Sequence, residues 1–324
     1  MIKISKIEYY LPEIILTNKQ LEEEFPDWSS EKIEEKVGIR QRHIAGENET
    51  VLDLAVKSSE KVFKNYDREK VDFILFCTQS PDYFLPTTAC LLQDRLGLRK
   101  NIGALDFNLG CSGFVYGLAM ANGLLQSKIA KSILLVTSET YSKHLNKEDK
   151  GNRSIFGDAS ASCIVELDED SAAMKFVLGT DGSGAENLIV KKGGFKKDYS
   201  INENTAFPPE NLYMNGPEIF NFTIENIPGL VSDTLIENEI ALEEVDYFIF
   251  HQANSFMLKY LRKKIKIPVD KFYIGMSETG NTVSATIPIA LKDALDQHLI
   301  KEGDKVLIAG FGVGYSMAST IITI

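Results

Sequence analysis

The stretch Val71-Asp72-Phe73-Ile74-Leu75-Phe76-Cys77 returns, 174 residues further on, as Val245-Asp246-Tyr247-Phe248-Ile249-Phe250-His251. Each copy is a short apolar run opened by the same Val-Asp pair, the pattern of a strand buried on both faces of a parallel sheet. Two further landmarks repeat at nearly the same distance. Gly110-Cys111 is echoed by Gly280-Asn281, and Ile133-Leu134-Leu135-Val136 by Val306-Leu307-Ile308-Ala309, at offsets of 170 and 173 residues. Any one apolar match is common by chance, but three in the same order argue for a duplicated α/β unit.

Working outward, apolar runs predict strands at 71–77, 103–108, 131–137, 160–166, 245–250, 271–275 and 304–310. Between them, helical patterns cover 50–65, 86–97, 112–126, 217–237, 254–265 and 283–299. Strand and helix alternate in each half, which predicts a layered α/β fold with halves 1–172 and 173–324. Thr180 to Gly216, rich in Gly, Asn, Lys and Pro, reads as a boundary excursion or a loop covering a site. The start, Met1 to Glu8, alternates like a strand and lacks the apolar block of a signal peptide.

At 324 residues, with 44% hydrophobic and 25% charged residues, the chain has the length and composition of two packed half-domains. No apolar stretch approaches the ~18 residues of a membrane-spanning helix, so no membrane partner is expected. A net charge of −11 disfavours nucleic acid, whose phosphates require a basic surface. A local basic run survives at Lys259, Arg262, Lys263, Lys264 and Lys266, either a solvated helix face or a dock for an acidic partner. The four cysteines, Cys77, Cys90, Cys111 and Cys163, form no Cys-x-x-Cys pair and none adjoins a histidine. No metal or cofactor is therefore expected, and free thiols in a cytoplasmic protein are. Cys77 and Cys163 read as core strand residues and Cys90 as a buried helix position.

Cys111 differs, because glycines flank it in Leu109-Gly110-Cys111-Ser112-Gly113. It follows an apolar strand and opens an apolar helix, where the helix terminus favours a thiolate. Taken alone it reads equally well as a small buried residue at a turn. His251 ends its strand in His251-Gln252-Ala253-Asn254, and Asn281 occupies the loop equivalent to that of Cys111. A thiol, an imidazole and a carboxamide recur together where an acyl group passes through a thioester. Gly310-Phe311-Gly312-Val313-Gly314 offers backbone N–H groups to an oxyanion, although close packing explains many such runs.

These residues carry a resemblance that runs nearly end to end. The chain resembles the β-ketoacyl-acyl-carrier-protein synthase III family of the thiolase superfamily. The matching segments include Gly38-Ile39-Arg40-Gln41-Arg42-His43, Gly110-Cys111-Ser112-Gly113, Phe156-Gly157-Asp158, Met214-Asn215-Gly216, His251-Gln252-Ala253-Asn254 and Gly280-Asn281-Thr282. The resemblance implies a thiolase-like five-layered αβαβα fold built from two duplicated halves, and a homodimer. It implies a decarboxylating Claisen condensation: Cys111 takes an acyl group from a thioester, malonyl on an acyl carrier protein loses CO2, and the carbanion attacks the acyl-enzyme. His251 Nε2 and the Asn281 amide would bond the malonyl thioester oxygen, and the N–H groups of Cys111 and Val313 would form a second oxyanion hole. Val313 stands where the family usually has glycine. Asn254, Gly312 and Gly314 would line the substrate site, and Phe84 and Leu85 would gate the acyl pocket across the dimer interface.

The donor side departs from the family. Members that prime from acyl-coenzyme A hold the adenine between a tryptophan and an arginine, where this chain aligns Lys32 and Lys150. Lys32, Lys36 and Lys150 then remain as phosphate contacts, and acyl-carrier-protein thioesters are expected to outcompete coenzyme A thioesters. Lys263 and Lys264, with Lys259, match the surface that docks the carrier protein. A non-decarboxylating acyltransferase and a non-catalytic partner subunit are the alternatives; retention of Cys111, His251 and Asn281 weighs against both.

Overall fold

The computed structural model describes residues 2–168, 174–196 and 207–324. The expected division between 172 and 173 falls outside the described residues. The first half runs β1 (Ile2–Tyr10), β2 (Ile14–Thr17), α1 (Asn18–Glu24), α2 (Ser30–Val37), β3 (Gln41–Ile44), α3 (Val51–Phe63), β4 (Phe73–Cys77), α4 (Thr88–Arg95), β5 (Gly103–Phe107), α5 (Gly113–Gln126), β6 (Ser132–Glu139), α6 (Lys150–Arg153) and β7 (Ala159–Leu167). The second runs β8 (Phe176–Thr180), β9 (Leu188–Ile189), β10 (Tyr213–Met214), α7 (Gly216–Glu237), β11 (Tyr247–Phe250), α8 (Ser255–Ile265), α9 (Thr286–Asp296), β12 (Lys305–Gly312) and β13 (Ser316–Thr323).

The duplication is visible in the sheets. One has the order β1-β7-β6-β4-β5 and the other β8-β13-β12-β11. Corresponding pairs agree in direction: β4 with β6 and β11 with β12 are parallel, while β6 with β7 and β12 with β13 are antiparallel. The counterpart of β5, expected as a strand at 271–275, shrinks to a single parallel bridge between Phe248 and Phe272. Two strands that the apolar-run criterion missed, β8 and β13, complete the second sheet.

Strand alternation sorts side chains into layers. On β4, Leu75 faces a cluster holding Phe114 and Leu118 of α5, Ile287 and Leu291 of α9, and Ile249 and Ile308 of the second sheet. Its neighbours Ile74 and Phe76 face the other way, onto Leu52 and Ala55 of α3 and Leu92 of α4. Likewise Phe248 and Phe250 turn outward onto Leu230 of α7 and Leu258 of α8. Five layers result: α3 and α4, a sheet, α5 and α9, the second sheet, α7 and α8. No helix among the described residues is long and apolar enough to cross a membrane.

Helix ends are set by local chemistry. Thr50 and Asp53 form a capping box on α3. The helix expected at 283–299 starts only at Thr286, because a 3-10 turn at Val283–Ala285 precedes it. Cys90, expected to be buried, is exposed on α4, with the Thr87 hydroxyl 3.1 Å from its sulfur. Of the Thr180–Gly216 excursion, the described part holds a 3-10 turn at Gly182–Asn187 and the β9–β10 ladder; 197–206 lie outside the described residues.

Candidate active site

The middle layer fixes where the polar residues meet. Cys111 ends the loop between β5 and α5 and is only 6% exposed. Gly312, at the end of β12, lies directly against it: a Cβ there would stand 2.9 Å from Cys111 Sγ. Any side chain at 312 would push against the Cys111 sulfur. The backbone N–H groups of Val313 and of Cys111 itself favour the ionised sulfur. They do not prevail in the free site. Burial, with the Glu139 carboxylate adding to it, pushes the thiol up to about 12. Cys111 does precede the N-cap of α5, Ser112, as expected, but burial outweighs the two N–H groups and holds the sulfur as a thiol.

His251 follows β11 and continues its ladder, its N–H bonding Ala309 O at 2.8 Å. Its Nδ1 lies 2.7 Å from Thr286 Oγ1, which in turn lies 3.0 Å from Val283 O. This contact fixes the ring and leaves Nε2 as the other nitrogen. Burial lowers the imidazole to about 3, so it is neutral at ordinary pH. Asn281 is 5% exposed and sits in a loop bonded to the first half: its N–H reaches Ile155 O at 2.9 Å and its carbonyl accepts from Gly157 N at 3.0 Å. Its side-chain oxygen accepts from Val283 N at 2.9 Å, which directs the amide NH2 elsewhere. Val283 has φ 57°, a left-handed conformation costly for a β-branched residue. One strained residue therefore supports both Asn281, through its N–H, and Thr286, through its carbonyl.

Cys111, Phe156, Val283, Tyr141, Leu188 and Leu212 form one apolar cluster, with Val313 packed against it. Beside it opens a cavity of about 740 Å3 lined by Tyr141, His144, Leu188, Leu212 and Val313, and by Tyr83 and Phe84. Phe84 and Leu85 themselves are 78% and 82% exposed, and Phe84 stacks on Phe195 at 6.4 Å. Gly314 takes φ 132° in the turn joining β12 to β13.

Three sequence expectations change in detail. Asn254 caps α8, its side chain accepting from Met257 N at 2.8 Å. Lys259, Lys263 and Lys264 are all exposed on α8, but Lys264 alone of the three is shown donating to a backbone carbonyl, Ile224 O at 2.6 Å. Position 32 carries no aromatic, but a tryptophan stands four residues earlier. The Trp28 ring has Lys36 Nζ 4.5 Å and Lys150 Nζ 5.9 Å from its centroid, and its Nε1 bonds Ser154 Oγ at 2.8 Å. Lys150 also pairs with Asp27, while Lys32 is exposed on α2. Glu139, which sequence reasoning passed over, lies fully buried beside Cys111.

Residues 105–182 match the family described as 3-oxoacyl-[acyl-carrier-protein (ACP)] synthase III, and residues 235–324 match its C-terminal part. A β-ketoacyl-[acyl-carrier-protein] synthase III of Fusobacterium nucleatum is 36% identical, over 99% of this chain and 98% of that protein. The chain belongs to the 3-oxoacyl-[acyl-carrier-protein] synthase III family. Among solved structures, a 3-oxoacyl-(acyl-carrier-protein) synthase III is 44% identical, with TM-score 0.96 over 100% of this chain and 99% of that one. Another, from Burkholderia xenovorans LB400, is 37% identical, with TM-score 0.95 over 100% of this chain and 94% of that one. The fold is accordingly the thiolase-like, five-layered one of that family.

Proposed function

We propose that this chain condenses an acyl thioester with a malonyl-acyl-carrier-protein, with loss of CO2, through an acyl intermediate on Cys111. The observation that carries the reading is the buried Cys111 sulfur, packed against Gly312 of the other half and acted on by the N–H groups of Val313 and Cys111. Cys111 is the nucleophile: its Sγ–C bond forms as the donor C–S bond breaks, its thiol proton leaves on the departing donor sulfur as a free thiol, and the two N–H groups hold the tetrahedral oxyanion. The Asn281 amide donates to the malonyl thioester oxygen as it becomes an enolate, joined by His251 Nε2–H in the tautomer in which the Thr286 hydroxyl turns from Val283 O to donate to Nδ1, and this lowers the barrier to decarboxylation. The cavity beside Cys111, whose walls mix Tyr141, Leu188, Leu212 and Val313 with Asp82, Lys143 and Lys192, receives the acyl thioester.

In this reading the carrier protein docks on α8 through Lys259 and Lys263, the cytoplasm supplies both carriers, and the enzyme is a homodimer. Strand β5 supports the last point: it is the outer strand of its sheet and leaves Leu105 partly exposed, and Tyr83, Phe84 and Leu85 are exposed too. Exposed edges of this kind call for a partner. The halves 1–172 and 173–324 are units of one duplicated fold. Acyl-carrier-protein donors remain favoured, now because Lys36 and Lys150 already face the Trp28 ring on which an adenine would stack.

The test is intact-mass analysis with acyl donors on both carriers, followed by addition of malonyl-acyl-carrier-protein. An adduct on Cys111 that disappears with CO2 release is expected, and Cys111→Ser should form none. An adduct that transfers without CO2 would turn the reading into a non-decarboxylating acyltransferase.

A further inference from the structure

Glu139, the last residue of β6, is a buried carboxyl whose partners are all neutral. It accepts from Gln79 N at 3.1 and 3.3 Å, from Ser80 Oγ at 3.1 Å and from Ser284 Oγ at 2.8 Å. The first two belong to the turn beyond β4, where Gln79 also approaches Gly110: a Cβ on that glycine would stand 2.7 Å from Gln79 Oε1. Ser284 belongs to the other half. It lies between Val283, which orients Asn281, and Thr286, which orients His251. One carboxyl thus joins the turn beside the nucleophile to the segment that holds the two other polar residues.

We propose that Glu139 is a positioning residue for the condensation, tying the Gln79–Ser80 turn to the Asn281–Thr286 segment as an uncharged acid, and opposing ionisation of Cys111 once it loses its own proton. The inference rests on Cys111 being the nucleophile. As the acid, Glu139 turns its O–H toward one of the two serine hydroxyls and keeps the Gln79 N–H on the other oxygen. Burial raises this carboxyl to about 8, with Asp158 adding to it and the Gln79, Ser80 and Ser284 donors pulling the other way. The other titratable groups that feel its charge are Cys77 on β4, Cys111 before α5 and Tyr141 after β6. His144 reaches the same turn, its Nε2 3.2 Å from Gln79 O. Among the described residues no lysine or arginine pairs with Glu139 to offset its charge.

The substitution Glu139→Gln keeps the shape and an oxygen for Ser284 but cannot ionise. Alkylation of Cys111 by iodoacetamide, followed by peptide mapping between pH 6 and 10, reads the coupling directly. Below about pH 7 both proteins carry a neutral group at 139, and their rates should agree within about twofold. Above about pH 8.5 the variant should react severalfold faster, because a negative charge no longer faces the forming thiolate. Parallel profiles, or a constant ratio at every pH, would overturn the proposal. As a second measurement, Glu139→Ala should lose about tenfold or more in malonyl decarboxylation, while Glu139→Gln restores it; equal loss in the two variants counts against the positioning role. Failure of Cys111 to acylate at all would instead sink the reading of function and leave the alkylation result standing.

Discussion

At the scale of single residues, two buried groups write opposite signatures into pH dependence. His251 is lowered to about 3 in the fold, so between that value and its unfolded pKa the unfolded chain binds the extra proton. Its contribution is present above about pH 6.5 and is lost as pH falls toward 3. Glu139 is raised to about 8, so the folded chain holds the extra proton from the ordinary carboxylate range upward, and stability falls as pH rises through 8. Glu139→Gln should therefore raise Tm at pH 9 and leave it nearly unchanged at pH 5, as differential scanning calorimetry at the two values would record; equal shifts at both would contradict the assignment. The strained Val283 makes a separate prediction. Val283→Gly relieves the left-handed backbone and keeps the N–H from which Asn281 accepts, so acylation and decarboxylation should both stay within about twofold of the parent; a selective loss of decarboxylation would refute this account of the strain. Cys111, His251 and Asn281 were legible because each breaks an apolar or glycine-rich context. Glu139 was not, because a glutamate ending Leu134-Leu135-Val136-Thr137-Ser138 looks like a strand reaching solvent.

Among the elements, α7 and α8 are the instructive pair. Pro228 inside α7 has no N–H for the carbonyl four residues earlier, Ile224, and Lys264 of α8 fills that gap at 2.6 Å. Two adjacent lysines that the sequence could only treat alike thereby part company. Lys263→Glu should weaken use of the carrier protein, and the effect should shrink at high salt. Lys264→Glu should act mainly on the α7–α8 contact, lowering Tm more than carrier affinity. Steady-state kinetics at two ionic strengths beside a melting curve separate them; identical behaviour of the two variants would return both to one basic surface. The strands show a similar limit of legibility. Those with unbroken apolar runs, β4, β6 and β12, stood out, whereas β13 hides buried Ser316, Ser319 and Thr320 among its aliphatics. Their hydroxyls are satisfied inside the protein, as by the 2.6 Å contact of Ser316 with Ser112, a pairing that no local pattern announces.

For the whole molecule, the repeated Val-Asp run foretold the paired sheets, whereas the exposed Tyr83-Phe84-Leu85 surface was reached through the resemblance alone. If that surface is the dimer interface, Phe84→Asp with Leu85→Asp should give monomers by sedimentation and enlarge the opening of the acyl cavity. A dimer that survives both changes would move the interface elsewhere. The middle layer has one more outcome. Phe114 and Leu118 come from one half, Ile287 and Leu291 from the other, and both sheets close over them. Neither half has a complete core of its own. Expressed separately, 1–172 and 173–324 would each bare a sheet and one side of a helix to water and aggregate. Expressed together they should find each other, so the chain is a candidate for a split reporter whose reassembly is read out by recovery of acyl transfer.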